Sequence, residues 1–183
     1  MKTFTKAWIN KHKPCQPAVD FVTSNNMQKK SIPEILRFLN NNNHFDWANW
    51  ALTRCLTKQS KIRYAVYAAE QVLDIFEKIY DSDKPRKAIL AAKEVLKNPS
   101  KENKDAAAAA AAATAADAAA DTAYAAAYYA AAAAYATAAA GAAAATAAAA
   151  ATAAAYYAAG AAARIEMQSK ILEYGIGLLG GKQ

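Results

Sequence analysis

The chain has 183 residues and a net charge of +7, from 22 Lys and Arg against 15 Asp and Glu, enough length for one or two domains. Ala supplies 53 residues, and 43 of them fall in the 58-residue block 106–163, which has no Leu, Ile, Val, Phe, Met or Trp. Two cysteines exclude a disulfide scaffold, six glycines exclude collagen, and a composition so rich in Ala excludes a β-sandwich, because Ala is depleted from strands.

In chain order, the sequence predicts a series of short helices over the first 105 residues. Residues 5–12 carry Trp8 and Ile9 and stop before Pro14, and residues 16–24 carry Ala18, Val19, Phe21 and Val22. Ser31-Ile32-Pro33-Glu34 is a capping-box start, and Ile35, Leu36 and Leu39 supply that helix with an apolar face. Asn40 to Asn43 form a polar run suited to left-handed and turn conformations. A helix over 44–56 follows, then a start at Thr57 and Ser60 and a long helix to Tyr80 with Ile62, Val66, Ala69, Leu73 and Phe76 on one stripe. Residues 81–85 read as a turn, and 85–97 as a helix buried through Ala88, Ile89, Ala91 and Leu96. Asn98-Pro99 breaks it, and Ser100 is the expected N-cap of the next helix.

The block 106–163 reads as helix, because Ala has the best helix propensity and nothing in the block competes. One continuous helix of that length would run about 87 Å, so breaks are expected at Gly141 and Gly160. Its other residues are ordered. Thr114, Asp117, Asp121, Tyr124, Tyr128 and Tyr135 fall on one stripe, and Tyr124, Tyr135, Thr146 and Tyr157 are spaced by eleven. The last segment, 164–179, resumes an ordinary pattern, with Ile165, Leu172, Ile176 and Leu179 on one face. The expected architecture is all-α: a small N-terminal helical segment over 1–43, and a helical domain over 44–183 that includes the Ala-rich helices. Ala-faced helices are hard for a lone chain to bury, so a homo-oligomer is expected.

No signal-peptide run follows the N-terminus, and two unpaired-looking cysteines fit a reducing compartment, so a cytoplasmic location is expected. The uncharged stretch 122–163 lacks the strongly apolar residues that drive membrane insertion, so no membrane span is expected. Gly175-Ile176-Gly177-Leu178-Leu179-Gly180 matches a dinucleotide fingerprint in letters only, since a helix and not a strand precedes it. His12 with Cys15 lacks further ligands at metal-binding spacing, and His44 beside Asp46 reads more simply as a helix start. No nucleophile or metalloprotease motif occurs, so the expectation is a protein that is no enzyme, with no cofactor and no metal.

The densest chemistry is Phe45 to Arg54. Trp47, Trp50 and Arg54 share a helical face, where two indoles and a guanidinium can stack on a base or clamp an anion; they can equally form a core in which Arg54 pairs with an acid such as Asp46 or Glu70. Lys58, Lys61 and Arg63 follow directly as a basic rim. The candidate ligand-binding set is Trp47, Trp50, Arg54, Lys58 and Lys61, with Tyr124, Tyr128 and Tyr135 across from them.

Asp46-Trp47-Ala48-Asn49-Trp50, the stretch Tyr64 to Lys78, Pro85-Arg86-Lys87-Ala88-Ile89 and the Tyr-dotted Ala block together resemble the bacterial and phage immunity-protein family of Ala-rich helical proteins. The resemblance covers roughly 44–179 and brings no catalytic residues. It implies immunity or counter-defence. The expected partner is a small anionic, nucleotide-like ligand held by a sponge, or a protein toxin that the chain neutralises; nucleic acid and membranes are not expected partners. The remaining alternative, a nucleotide-processing enzyme, is disfavoured by the missing motifs.

Overall fold

The computed structural model describes residues 3–79, 83–118 and 161–180, and these contain eight helices and no strand. Helix α1 (Lys6–His12) starts at Thr5, whose Oγ1 accepts a hydrogen bond from the Trp8 N–H at 3.1 Å. It stops at Lys13, which takes left-handed backbone (φ 47°), with Pro14 next. Helix α2 (Gln16–Ser24) carries a proline in its first turn, where the missing N–H costs no helical bond.

Helix α3 (Ile32–Asn41) opens with a complete capping box. The Ser31 N–H donates to Glu34 Oε2 at 2.9 Å, and Ser31 Oγ accepts from the Glu34 N–H at 3.4 Å. Helix α4 (Phe45–Cys55) hands over to α5 (Lys58–Ile79) through Thr57, whose Oγ1 accepts from the Ser60 N–H at 3.1 Å. Helix α6 (Lys84–Lys97) ends at the Asn98-Pro99 break, and Ser100 caps α7 (Lys101–Ala118) by accepting from the Asn103 N–H at 3.2 Å. Helix α8 (Ala161–Leu178) returns the chain to the first core.

Two cores lie on opposite faces of α5. The first takes Ile35, Leu36 and Leu39 of α3, Phe45, Ala48 and Leu52 of α4, Tyr64, Ala65 and Ala68 of α5, and Ile171, Leu172 and Ile176 of α8. It runs across residue 43, so α3 packs with the helices that follow it. The second takes Ile62, Val66, Ala69 and Leu73 of α5 against Ala88, Ile89, Ala92 and Val95 of α6 and Ala107 of α7. Ala107 has no exposed surface, so the described start of the Ala-rich block is in close helix–helix contact with α6.

The stripe read from sequence on α5 is buried at Ile62, Val66, Ala69 and Leu73; the second face, Tyr64-Ala65…Ala68, was not foreseen. Two core assignments shift. On α6 the buried positions are Ala92 and Val95, with Ala91 and Leu96 only half-buried. On α8, Ile165 is 52% exposed and Ile171 is fully buried instead. In both cases the helix presents an apolar stripe slightly wider than the neighbour covers.

Asn49 and Thr53 of α4 are buried polar residues, and both are hydrogen-bonded. The Tyr64 hydroxyl donates to Asn49 Oδ1 at 2.9 Å, and Thr53 Oγ1 donates to the Trp50 carbonyl at 3.0 Å. Burial pushes the Tyr64 hydroxyl well above its ordinary titration range, so it remains a donor throughout the physiological range. Arg37 of α3 and Glu173 of α8 form a two-pronged ion pair, Nε to Oε1 and Nη2 to Oε2, both at 2.7 Å. Tyr67 of α5 stacks on Tyr174 of α8 with centroids 3.8 Å apart.

Candidate functional site

The sequence-predicted residues sit where α1 and α2 meet α4 and α5. Neither α1 nor α2 has a fully buried residue, and both are held to the rest by aromatic rings. Trp8 meets Trp50 edge-on at 6.1 Å, with Phe4 at 4.4 Å and His12 at 4.7 Å on its other sides. Phe21 stacks on Phe38 at 5.4 Å and meets His44 and Trp47 edge-on. The His44 ring lies flat on Trp47, 4.0 Å away and 8° from parallel, so this histidine is packed against an indole.

Trp50 and Arg54 are a turn apart on α4, and the Arg54 guanidinium lies 3.7 Å over the Trp50 ring. Its Nη1 also donates to the Trp50 carbonyl at 3.0 Å. Of the acid partners considered for it, Glu70 pairs with Lys93, and burial is the cause that moves the Arg54 guanidinium below its ordinary value. Lys61 is shifted down as well, first by burial and then by the charge of Arg54. His12 is shifted down by burial, then by Lys11, Arg54 and Lys61. Arg54 and Lys61 therefore form a partly buried cationic pair beside the Trp8–Trp50 contact, and together with burial they favour the neutral form of His12.

Lys58 opens α5 and is exposed. Tyr124, Tyr128 and Tyr135 lie outside the described residues. Trp47 and Trp50 do not stand side by side on one platform: each is engaged by a different neighbour, His44 in one case and Arg54 in the other. The sequence reading missed His12 and Trp8 as members of the site. Their signal was the i, i+4 spacing of Trp8 and His12 on α1, which puts the imidazole over the indole.

Between α1, α2, α3 and α4 runs a groove of about 470 Å³, walled by Trp8, Trp47, Trp50, Val19, Val22 and Leu39. It lies on the side of the Trp8–Trp50 pair that Arg54 and Lys61 do not line. Gly175 and Gly177 stand inside helix α8, with no strand ahead of them among the described residues, so the fingerprint match carries no phosphate loop. Among the described residues no group of three His, Cys, Asp or Glu could hold a metal ion, and no helix is long and apolar enough to cross a membrane. Comparison with known proteins finds no matching family model, no matching curated protein and no matching solved structure.

Proposed function

We propose that this chain is a non-enzymatic binding protein that sequesters a small anionic, nucleotide-type ligand at the junction of α1, α4 and α5, in the setting of bacterial and phage conflict. One observation carries the reading. Arg54 and Lys61 are gathered beside a neutral His12, partly desolvated and mutually repulsive, with no carboxylate paired to Arg54 among the described residues. Such a cluster is electrostatically unfavourable when empty and is relieved by an anion. The outer face of the Arg54 guanidinium, backed by Trp50, is a plane on which a base can stack. Lys61 and His12 are positioned to meet a phosphate, and Lys58 adds exposed charge nearby along the chain. The setting in bacterial and phage conflict rests on the sequence resemblance alone.

The test is calorimetric titration with adenosine triphosphate and with a cyclic dinucleotide. A charge-assisted contact contributes about 1.5–3 kcal/mol, so Arg54→Ala and Lys61→Ala are each expected to weaken binding about tenfold or more. The His12 imidazole is held below its ordinary value in the free protein. A bound anion offsets the cations around it and raises it, so binding takes up a proton and tightens as pH falls through the ordinary imidazole range. A large loss of stability in Arg54→Ala with unchanged affinity would reject the site.

A further inference from the structure

The groove between the N-terminal helices and the first core is a second compartment, and its chemistry differs from that of the cationic cluster. Its volume, about 470 Å³, is in the range of pockets that take small molecules, about 300–1,000 Å³. Its walls are aromatic and aliphatic, and helices α1 and α2 close it without burying any residue of their own fully. A groove walled by this many apolar side chains, with a few polar groups at its rim, is the usual setting of a small-molecule site.

The indoles on the wall do not offer parallel planes. Trp47 gives one face to His44 and Trp50 gives one to Arg54, while Trp8 lies against Phe4 and His12. Trp8 and Trp50 stand at 86° to each other, and beside them lie the aliphatic surfaces of Ile9, Val19, Val22 and Leu39, a wall that suits a flexible chain better than a flat base. Lys13 lines the groove where α1 ends, next to Lys11 and His12 in the chain, so that end is cationic. A lysine ammonium is a compact point charge suited to a singly charged head, and Lys13 is on the lining.

We infer that this groove binds a free single-chain acyl carboxylate, its tail along the aromatic wall and its head at Lys13. The inference goes beyond the proposed function and does not rest on it, because the groove is lined by neither Arg54 nor Lys61. All three tryptophans of the chain line the groove, so tryptophan fluorescence responds when it is filled. The probes are sodium dodecanoate, dodecanol and acetate, titrated into the full-length protein. Dodecanoate is expected to shift the emission saturably and acetate to leave it unchanged. Dodecanol should bind about tenfold more weakly, and Lys13→Ala should remove that difference.

Ala18 lies on the groove wall, and Ala18→Phe is expected to weaken dodecanoate by about tenfold or more with helical content retained. Should that variant fail to fold, a second measurement on the wild-type protein decides. Cys15 lines the groove and is exposed, so dodecanoate should slow its alkylation, read by peptide mass. Absence of a saturable shift, a folded Ala18→Phe with unchanged affinity, dodecanol binding as tightly as dodecanoate, or an unprotected Cys15 would overturn the inference. Lys61→Ala should leave dodecanoate affinity unchanged, so loss of nucleotide binding in that variant bears only on the cationic cluster.

Discussion

Gly175 marks the closest approach of α8 to the rest of the first core. A Cβ built there would stand 2.4 Å from Leu52 Cδ2 and 2.6 Å from Tyr64 Cε2, and both side chains are fully buried and unable to yield. Gly177, two residues on in the same helix, would place its Cβ in open space. The two substitutions should therefore have opposite signs. Gly175→Ala is expected to cost about 1–3 kcal/mol by overpacking. Gly177→Ala is expected to add about 0.5–1 kcal/mol, because a helical alanine loses less backbone entropy than glycine. Urea denaturation of both variants checks this; a stabilised Gly175→Ala would show that α8 stands off from Tyr64. The letters of the fingerprint were visible in the sequence, but only the packing of Tyr64 distinguishes the two glycines.

At the scale of the element, local chemistry dictates where helices begin. Ser31 and Glu34 satisfy each other's backbone N–H groups, and the Glu34 carboxyl is held below its ordinary value chiefly by the Ser31 hydroxyl. Ser31→Ala is expected to destabilise the protein by about 1 kcal/mol, the usual cost of losing such a cap. A melting curve unchanged by the substitution would mean that α3 is held by its packing alone. Thr5, Thr57 and Ser100 do the same work for α1, α5 and α7, and each is legible from three residues of sequence. The face of α4 is a different matter. Its buried side is Phe45, Ala48, Asn49, Leu52 and Thr53, a mixed set that hydropathy does not single out. Asn49 is tolerated in the core because its polar atoms are met, its Oδ1 by the Tyr64 hydroxyl.

At the scale of the molecule, the Arg37–Glu173 pair ties α3 to α8 across 136 residues of chain. The Arg37 hydrogen bonds hold the Glu173 carboxyl below its ordinary value. A depressed carboxylate stabilises the fold above its unfolded titration range, and that contribution is lost as pH falls through the folded value. Both side chains are about half exposed, at 48% and 50%, so solvent screening limits the pair to about 0.2–1 kcal/mol. Glu173→Gln should cost that amount at neutral pH and nothing once acid has protonated the wild-type carboxyl, as melting temperature against pH will report. An equal loss at every pH would place the cost in packing. A separate prediction concerns assembly. An uncharged Ala-rich run from 122 to 163 is hard for one chain to bury, so light scattering is expected to give a multiple of 19.4 kDa. A stable monomer at micromolar concentration would reject it.

Among the described residues, sequence alone determined the helical class, most helix starts and stops, and the apolar stripe of α5 that faces α6. The reason is that caps, prolines and helical spacing act over three or four residues and do not depend on the fold. It also placed Trp50 and Arg54 one turn apart on a shared face. Only tertiary structure decided what that face meets. The first core on the other face of α5, the gathering of His12 and Lys61 around Arg54, the packing of Phe21 on His44 and Trp47 and the groove beneath α1 and α2 all join residues from separate helices. Such meetings depend on how helix surfaces pack against one another, a property of the whole assembly of elements that no single segment carries.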